Sequence, residues 1–132
     1  MAVTAPPPTN GRPNAVEIKP GQLFINGRWR DAEGGKNMPT SSPTTEEVIT
    51  TIATASPADI NEAIDAANVA FPKWAKLHGY TRAKIMNRIA DLIEEHAHEL
   101  AYREAVDMGK LYSDVMMVDV PHIANMFRYY AG

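Results

Sequence analysis

No cysteine occurs anywhere in the 132 residues. That absence excludes disulfide staples and thiolate metal sites, and it equally excludes a thiol nucleophile within the chain. No stretch approaches the roughly 18 uninterrupted apolar residues of a membrane span, and no apolar core follows a basic start at the N-terminus. The expectation is a soluble cytoplasmic protein without a membrane partner. Basic residues are too few and too scattered to follow a phosphate backbone: 13 Lys and Arg stand against 16 Asp and Glu, giving a net charge of -3, so nucleic acid is not expected as a partner. The eight glycines sit singly or at turns, and none of the patterns G-x-G-x-x-G, G-x-x-x-x-G-K-[ST] or G-x-S-x-G occurs. Nucleotide phosphates therefore have no glycine-rich cradle here.

What is present suits one ordinary domain, since 45% of the residues are hydrophobic and the length is that of a single core. Residues 1–22 stand apart. They are rich in Pro, Asn and Gly, with Pro6, Pro7 and Pro8 in a row, and cannot bury enough surface to offset a backbone entropy of roughly 1–2 kcal/mol per ordered residue. They read as a disordered Pro-rich tail.

Beyond the tail the local signals are strong. Asn26-Gly27 lies between Leu23-Phe24-Ile25 and Arg28-Trp29-Arg30, and this pair tolerates positive φ at both central positions of a two-residue hairpin. The register then sets Phe24 opposite Trp29, with Leu23 and Ile25 opposite Arg30 and Arg28, and the aromatic pair is expected to mark the buried side. After a turn at Gly34-Gly35, a second hairpin is expected from Met38–Ser42 and Glu47–Thr54, broken at Pro43-Thr44-Thr45, because Val48, Ile49, Ile52 and the threonines favour strand. Ser56-Pro57-Ala58-Asp59 supplies a capping hydroxyl, a first-turn proline and an acid at the third position, so a helix should start there. Ile60, Ile64, Ala67 and Phe71 form its apolar stripe, and Pro72 is expected to end it. A long helix is expected from about Tyr80 to Val106, striped by Ile85, Ile89, Leu92, Ile93, His96 and Leu100, bending near His96 to His98 and closed by Gly109. A third helix should start near Ser113 and be reset by Pro121. The fold class is α/β, with two short β-hairpins followed by three helices.

Candidate chemistry is sparse. Glu94 and His98 have chelating spacing on a helix, whereas His96 and His98 point to nearly opposite sides, and a solvated helical face is the better reading. Asp91 with Glu95 and Asp114 with Asp119 are paired acids, but their charged neighbours argue for exposed positions without the shifted pKa that acid–base work needs. Lys84 and Arg88 likewise read as a solvated face rather than a phosphate clamp. Met116, Met117, Met126, Phe127, Tyr129 and Tyr130 make the last helix rich in adaptable and aromatic surface, and core packing is preferred over a subunit contact.

The order of the segments resembles the start of the NAD(P)-dependent aldehyde dehydrogenase superfamily. Leu23-Phe24-Ile25-Asn26-Gly27 with Trp29 resembles the family's opening hairpin, and Ser42-Pro43-Thr44-Thr45-Glu46-Glu47-Val48-Ile49 its N-P-x-T-G-E-x-I turn. Ala66-Ala67 with Phe71, Pro72 and Trp74 resembles A-A-x-x-A-F-x-x-W. Arg82, the run Ile89 to Glu95 and Leu100 resemble the next helix, Glu104 to Lys110 resembles E-x-x-D-x-G-K, and Phe127 to Gly132 resembles F-R-Y-Y-A-G. The resemblance covers about residues 22–132. Two departures stand in the second motif, Ser42 for the usual Asn and Glu46 for the usual Gly.

The resemblance implies that residues 23–132 are an incomplete N-terminal portion of the family's cofactor-binding domain. Full-length members oxidise aldehydes to acids: a cysteine thiolate adds to the carbonyl, hydride passes to NAD or NADP, and a glutamate-activated water releases the acid. Those residues lie downstream, so neither catalytic nor cofactor-binding positions are assigned here. One site carries over: a monovalent cation held near Thr40, Ser41 and Asp107, where Ser41 departs from the usual branched apolar residue. Partners are then the downstream polypeptide or subunits of the same family. The alternative is a free-standing, non-catalytic module that packs on an intact dehydrogenase and regulates it.

Overall fold

A computed structural model describes residues 15–132. Of the expected tail, residues 1–14 lie outside the described ones. Gly21, near its end, is held in place: its N–H donates to the Thr51 carbonyl at 2.8 Å and its carbonyl accepts from the Ala53 N–H at 2.8 Å. A Cβ at Gly21 would come within 3.1 Å of the Ile52 side chain, so this contact relies on the missing side chain. The chain divides into two compact units, one of Ile18–Leu77 and one holding His78–Gly132.

In the first unit, β1 (Leu23–Ile25) and β2 (Arg28–Arg30) pair antiparallel in the expected register, with Phe24 opposite Trp29. Asn26 and Gly27 take φ of 50° and 76°, the positive values that a two-residue hairpin demands. The buried side is the reverse of the expectation. Phe24 and Trp29 stack with centroids 4.8 Å apart yet stay exposed, whereas Ile25 is buried. The cause lies on the far face, where Arg30, across from Leu23, reaches carboxylates of the following helix.

The second hairpin joins β3 (Asn37–Ser41) to β4 (Val48–Ala53), with a register shift between Thr40 and Ser41 that leaves Ile49 as an extra residue on β4. The connecting turn is built by Ser42. Its Oγ accepts from the N–H groups of Thr44 and Thr45 at 3.3 Å each, and its backbone exchanges bonds with Glu46 and Glu47. Ser42 thus fixes the turn through local side-chain bonds to the backbone. Glu46 closes the turn at φ 61°, a left-handed conformation that a side chain with a Cβ resists.

Helix α1 (Pro57–Lys76) opens on the expected capping box, with Ser56 and Asp59 each bonding the other's backbone. It does not end at Pro72. The ring removes one donor, but only one turn from the C-terminus, and the helix continues to Lys76 before Leu77 turns extended. Its stripe is open in this unit, with Ile60, Ile64 and Phe71 all exposed.

The second unit is helical. The expected single long helix is two, α2 (Gly79–Glu95) and α3 (Ala97–Met108), broken at His96 where φ is -103° and ψ 18°. Gly109 ends α3 in the left-handed region, as expected. The run after it is a short turn α4 (Tyr112–Asp114), a π-helical turn (Val115–Asp119) and α5 (Val120–Ala131). Pro121 is the reason for the widened turn: its ring would strike the carbonyl four residues back, and the wider spiral lets the Val120 N–H bond to the Val115 carbonyl instead. α2 packs along α5, and the buried residues of the pair are mostly small, Ala90 on one and Ala124 with Val120 on the other. Ala101, Val115 and Val120 form the core cluster, ringed by Ile93, Ala97, Ala105, Tyr112 and Met116. Of the methionines and aromatics expected to pack, Met116 reaches this cluster while Met117, Met126, Tyr129 and Tyr130 stay exposed. No helix among the described residues is long and apolar enough to cross a membrane.

Candidate functional site

Two polar nodes stand out, one in each unit. The first centres on Asp59, 1% exposed and the sole buried charged residue described. The capping box fixes it at the start of α1, and the β1–β2 pairing brings Arg30 to the same place. Its Oδ2 accepts from the backbone N–H groups of Ser56 at 2.8 Å and Glu33 at 3.0 Å, and Arg30 Nη1 lies 2.7 Å from Oδ1. Arg30 Nη2 also donates to Glu62 at 2.7 Å, and Ser56 Oγ donates to Glu33 at 3.0 Å. The Ser56 N–H lowers the Asp59 pKa most, the Glu33 N–H adds to it, and together they overcome burial to bring it down to about 2. Arg30 is held above its ordinary value chiefly by its bond to Asp59. A carboxylate this strongly held is ionised at neutral pH, with Oδ2 bonded to two backbone amides and Oδ1 ion-paired with Arg30, so it makes a poor base. Beside it lies an apolar cavity of roughly 390 Å³ walled by Leu23, Ile25, Ile60 and Ile64.

The second node lies at a cavity of roughly 360 Å³ in the helical unit, with Ile93, Leu100, Val115, Val120 and Ile123 as walls. Lys110 Nζ donates to Asp119 at 2.8 Å and stands 3.8 Å from Glu104. Asp119 is the main reason that the ammonium is held above its ordinary value, and a lysine kept charged is no nucleophile.

The remaining candidates are parcelled into separate partnerships. Glu94 and Asp91 both bind Arg128 on α5, at 2.6–2.7 Å and 3.1 Å, and Arg128 lowers the Glu94 pKa. Glu95 pairs with Arg88 at 2.7 Å, and Lys84 lies over the Tyr80 ring. His96 stands 3.8 Å from Glu99. His98 Nδ1 meets the Tyr112 hydroxyl at 2.7 Å, a pairing without a local signal, because the two residues lie on separate elements joined through Gly109. Arg30 with Asp59 was equally hidden: the cap was readable, its cross-strand cation was not. Among the described residues no group of three or more His, Asp or Glu gathers as a metal site.

Thr40 and Ser41 adjoin on β3 opposite the β4 bulge, and Asp107 lies in the last turn of α3, in the other unit. The N-terminus of α1 is already filled by its own Asp59 carboxylate, which repels phosphate where helix amides would otherwise attract it.

Comparison with known proteins gives a consistent result. A family model described as the aldehyde dehydrogenase family matches residues 29–132. Aldehyde dehydrogenase family 2 member B4, mitochondrial, of Arabidopsis thaliana is 42% identical over 120 residues, which are 89% of this chain and 22% of that protein. Family 2 member C4 of the same plant is 47% identical over 88% of this chain and 24% of its own length. Among solved structures, the NAD+ complex of aldehyde dehydrogenase from Bacillus cereus superposes with a TM-score of 0.81 at 42% identity, covering 84% of this chain and 23% of that one. The chain thus spans about a quarter of the length of the relatives it matches.

Proposed function

The chain belongs to the aldehyde dehydrogenase family, and from that premise we propose that it is the N-terminal part of the cofactor-binding domain of an enzyme oxidising an aldehyde to a carboxylic acid with NAD or NADP. Its own role is structural. The carrying observation is that a match running through residues 29–132 coincides with the absence of any cysteine, so the family's nucleophile must come from other polypeptide. What supports a scaffolding role is that the polar side chains of both nodes are spent on holding elements together, Arg30 and Asp59 tying a hairpin to a helix and Lys110 joining the loop after α3 to the π turn.

The test is turnover. Purified chain mixed with an aldehyde and NAD or NADP should form no reduced nicotinamide, whereas the chain joined to the downstream part of a relative should do so. Reduction by the chain alone overturns the proposal. A monovalent cation site drawing on Thr40, Ser41 and Asp107 is part of the same reading, supported by the resemblance of Thr40 and Asp107 to the family pattern, with Ser41, which departs from it, contributing through its backbone carbonyl. Potassium or sodium should raise the melting temperature of the joined protein more than that of its Asp107→Ala variant; equal shifts would remove the site.

A further inference from the structure

The β1–β2 turn carries a chemical liability that the scaffolding role leaves unused. Asn26 and Gly27 are its two central residues, both exposed, and both have positive φ. A Cβ built on Gly27 would meet nothing within 4 Å, so the turn is uncrowded on the side-chain side of this exposed glycine. The other asparagines described are placed differently. Asn61, Asn68, Asn87 and Asn125 lie within helices, and each is followed by a residue with a bulky side chain, Glu62, Val69, Arg88 or Met126. The Asn87 amide is further tied to the Ala83 carbonyl at 3.0 Å, and that of Asn37, ahead of Met38, to the Gly35 carbonyl at 3.1 Å.

We propose that Asn26 is a site of spontaneous modification, converting through a succinimide to aspartate and isoaspartate. The Gly27 nitrogen, after losing its proton to water or hydroxide, bonds to the Asn26 Cγ. The Cγ–Nδ2 bond breaks, and Nδ2 leaves as ammonia with a proton from solvent. Water then opens the ring at either carbonyl, so that the net change is exchange of ammonia for water with no oxidation or reduction. Opening at the backbone carbonyl routes the main chain through the former side chain. That adds a methylene to a two-residue loop, and the pairings of Phe24 with Trp29 and Leu23 with Arg30 cannot then both persist, because register follows loop length. Arg30 would be drawn from Asp59, so the reaction times a slow loosening of β2 from α1.

The experiment ages the folded chain in mildly alkaline buffer. It is then cut at Glu17 and Glu33 and analysed by tandem mass spectrometry, with enzymatic methylation to detect isoaspartate. The peptide spanning residues 18–33 should gain the mass of an amide-to-acid exchange at Asn26 many-fold faster than the peptides carrying Asn61, Asn68 or Asn87, and should accept methyl groups. An Asn26→Asp variant should show no such gain in that peptide. The proposal fails if Asn26 stays intact in the folded chain while the same chain in urea converts, or if the helical asparagines convert as fast.

Discussion

At Glu46 a single dihedral separates this chain from the pattern it resembles. The turn requires a left-handed residue, and the chain supplies glutamate at φ 61°. The strain of such a conformation is about 1–2 kcal/mol, and the extra unfolded-state freedom of glycine takes back about 0.4–1 kcal/mol. Strain is the larger effect, so Glu46→Gly should stabilise by about 1 kcal/mol, read as a higher denaturant midpoint with an unchanged slope. Equal or lower stability would mean that the Glu46 side chain makes a compensating contact. Asp59 invites a second measurement. Its folded pKa, about 2, lies below the usual aspartate value, so its contribution is fully present above the unfolded pKa and is lost as pH falls through the folded one. Melting temperatures recorded from pH 5 down to about pH 2 should fall more steeply for the natural chain than for Asp59→Asn, which lacks that titration. The variant should also melt lower at neutral pH, because Arg30 keeps its place with one anion fewer. Parallel pH curves would show that Asp59 is not held as the structure describes.

Elements were legible where the cue was local and obscure where it was not. Asn26-Gly27 announced the first hairpin and its register, Ser56 to Asp59 the start of α1, and Gly109 the end of α3, because each acts through its own backbone. The buried face of the hairpin was misread because aromatics look like core residues, whereas the choice was made by Arg30 reaching Asp59 and Glu62 from a distance in sequence. The break at His96 lay inside the zone where a bend was expected, but a continuous apolar stripe gives no sign of a full interruption. The π turn before Pro121 was invisible, since a proline signals a reset without saying how the helix accommodates it. Pro72 was overrated for a physical reason that can be tested. A proline usually costs a helix interior about 3 kcal/mol, but near the end of α1 the lost bond is one among several already fraying. Pro72→Ala should therefore raise stability by only about 1 kcal/mol or less, with a small gain in helical circular dichroism; a gain near the full interior cost would place Pro72 in a rigid part of the helix.

On the scale of the whole chain, the balance of covered and uncovered apolar surface is lopsided. The buried apolar residues described are seven, and four of these, Ala32, Ala90, Ala101 and Ala124, are alanines. Among the described residues, 22 large apolar side chains are left exposed, including Trp29, Val69, Met117, Tyr129 and Tyr130. Covering a large apolar side chain is worth ~1.5–3 kcal/mol, so much of what would stabilise these elements is unrealised within the chain, in keeping with its spanning about a quarter of its relatives' length. The six family motifs were easier to read than any active site because each is a local pattern, and on the function proposed above the reacting groups come from other polypeptide. Val115, 1% exposed and the largest apolar side chain fully enclosed, offers the sharpest measurement. Val115→Ala removes two methyl groups from the Ala101, Val115 and Val120 cluster, a loss of about 2 kcal/mol by the usual cost of shortening a core side chain. In a domain with full coverage such a loss leaves the fold populated. Here it should abolish the cooperative thermal transition of the chain alone and raise its binding of a hydrophobic dye, while the same substitution in the chain joined to the downstream part of a relative should merely lower the melting temperature by several degrees. A sharp transition retained by Val115→Ala in isolation would show that the chain is self-sufficient, and that its exposed apolar faces need no further polypeptide to cover them.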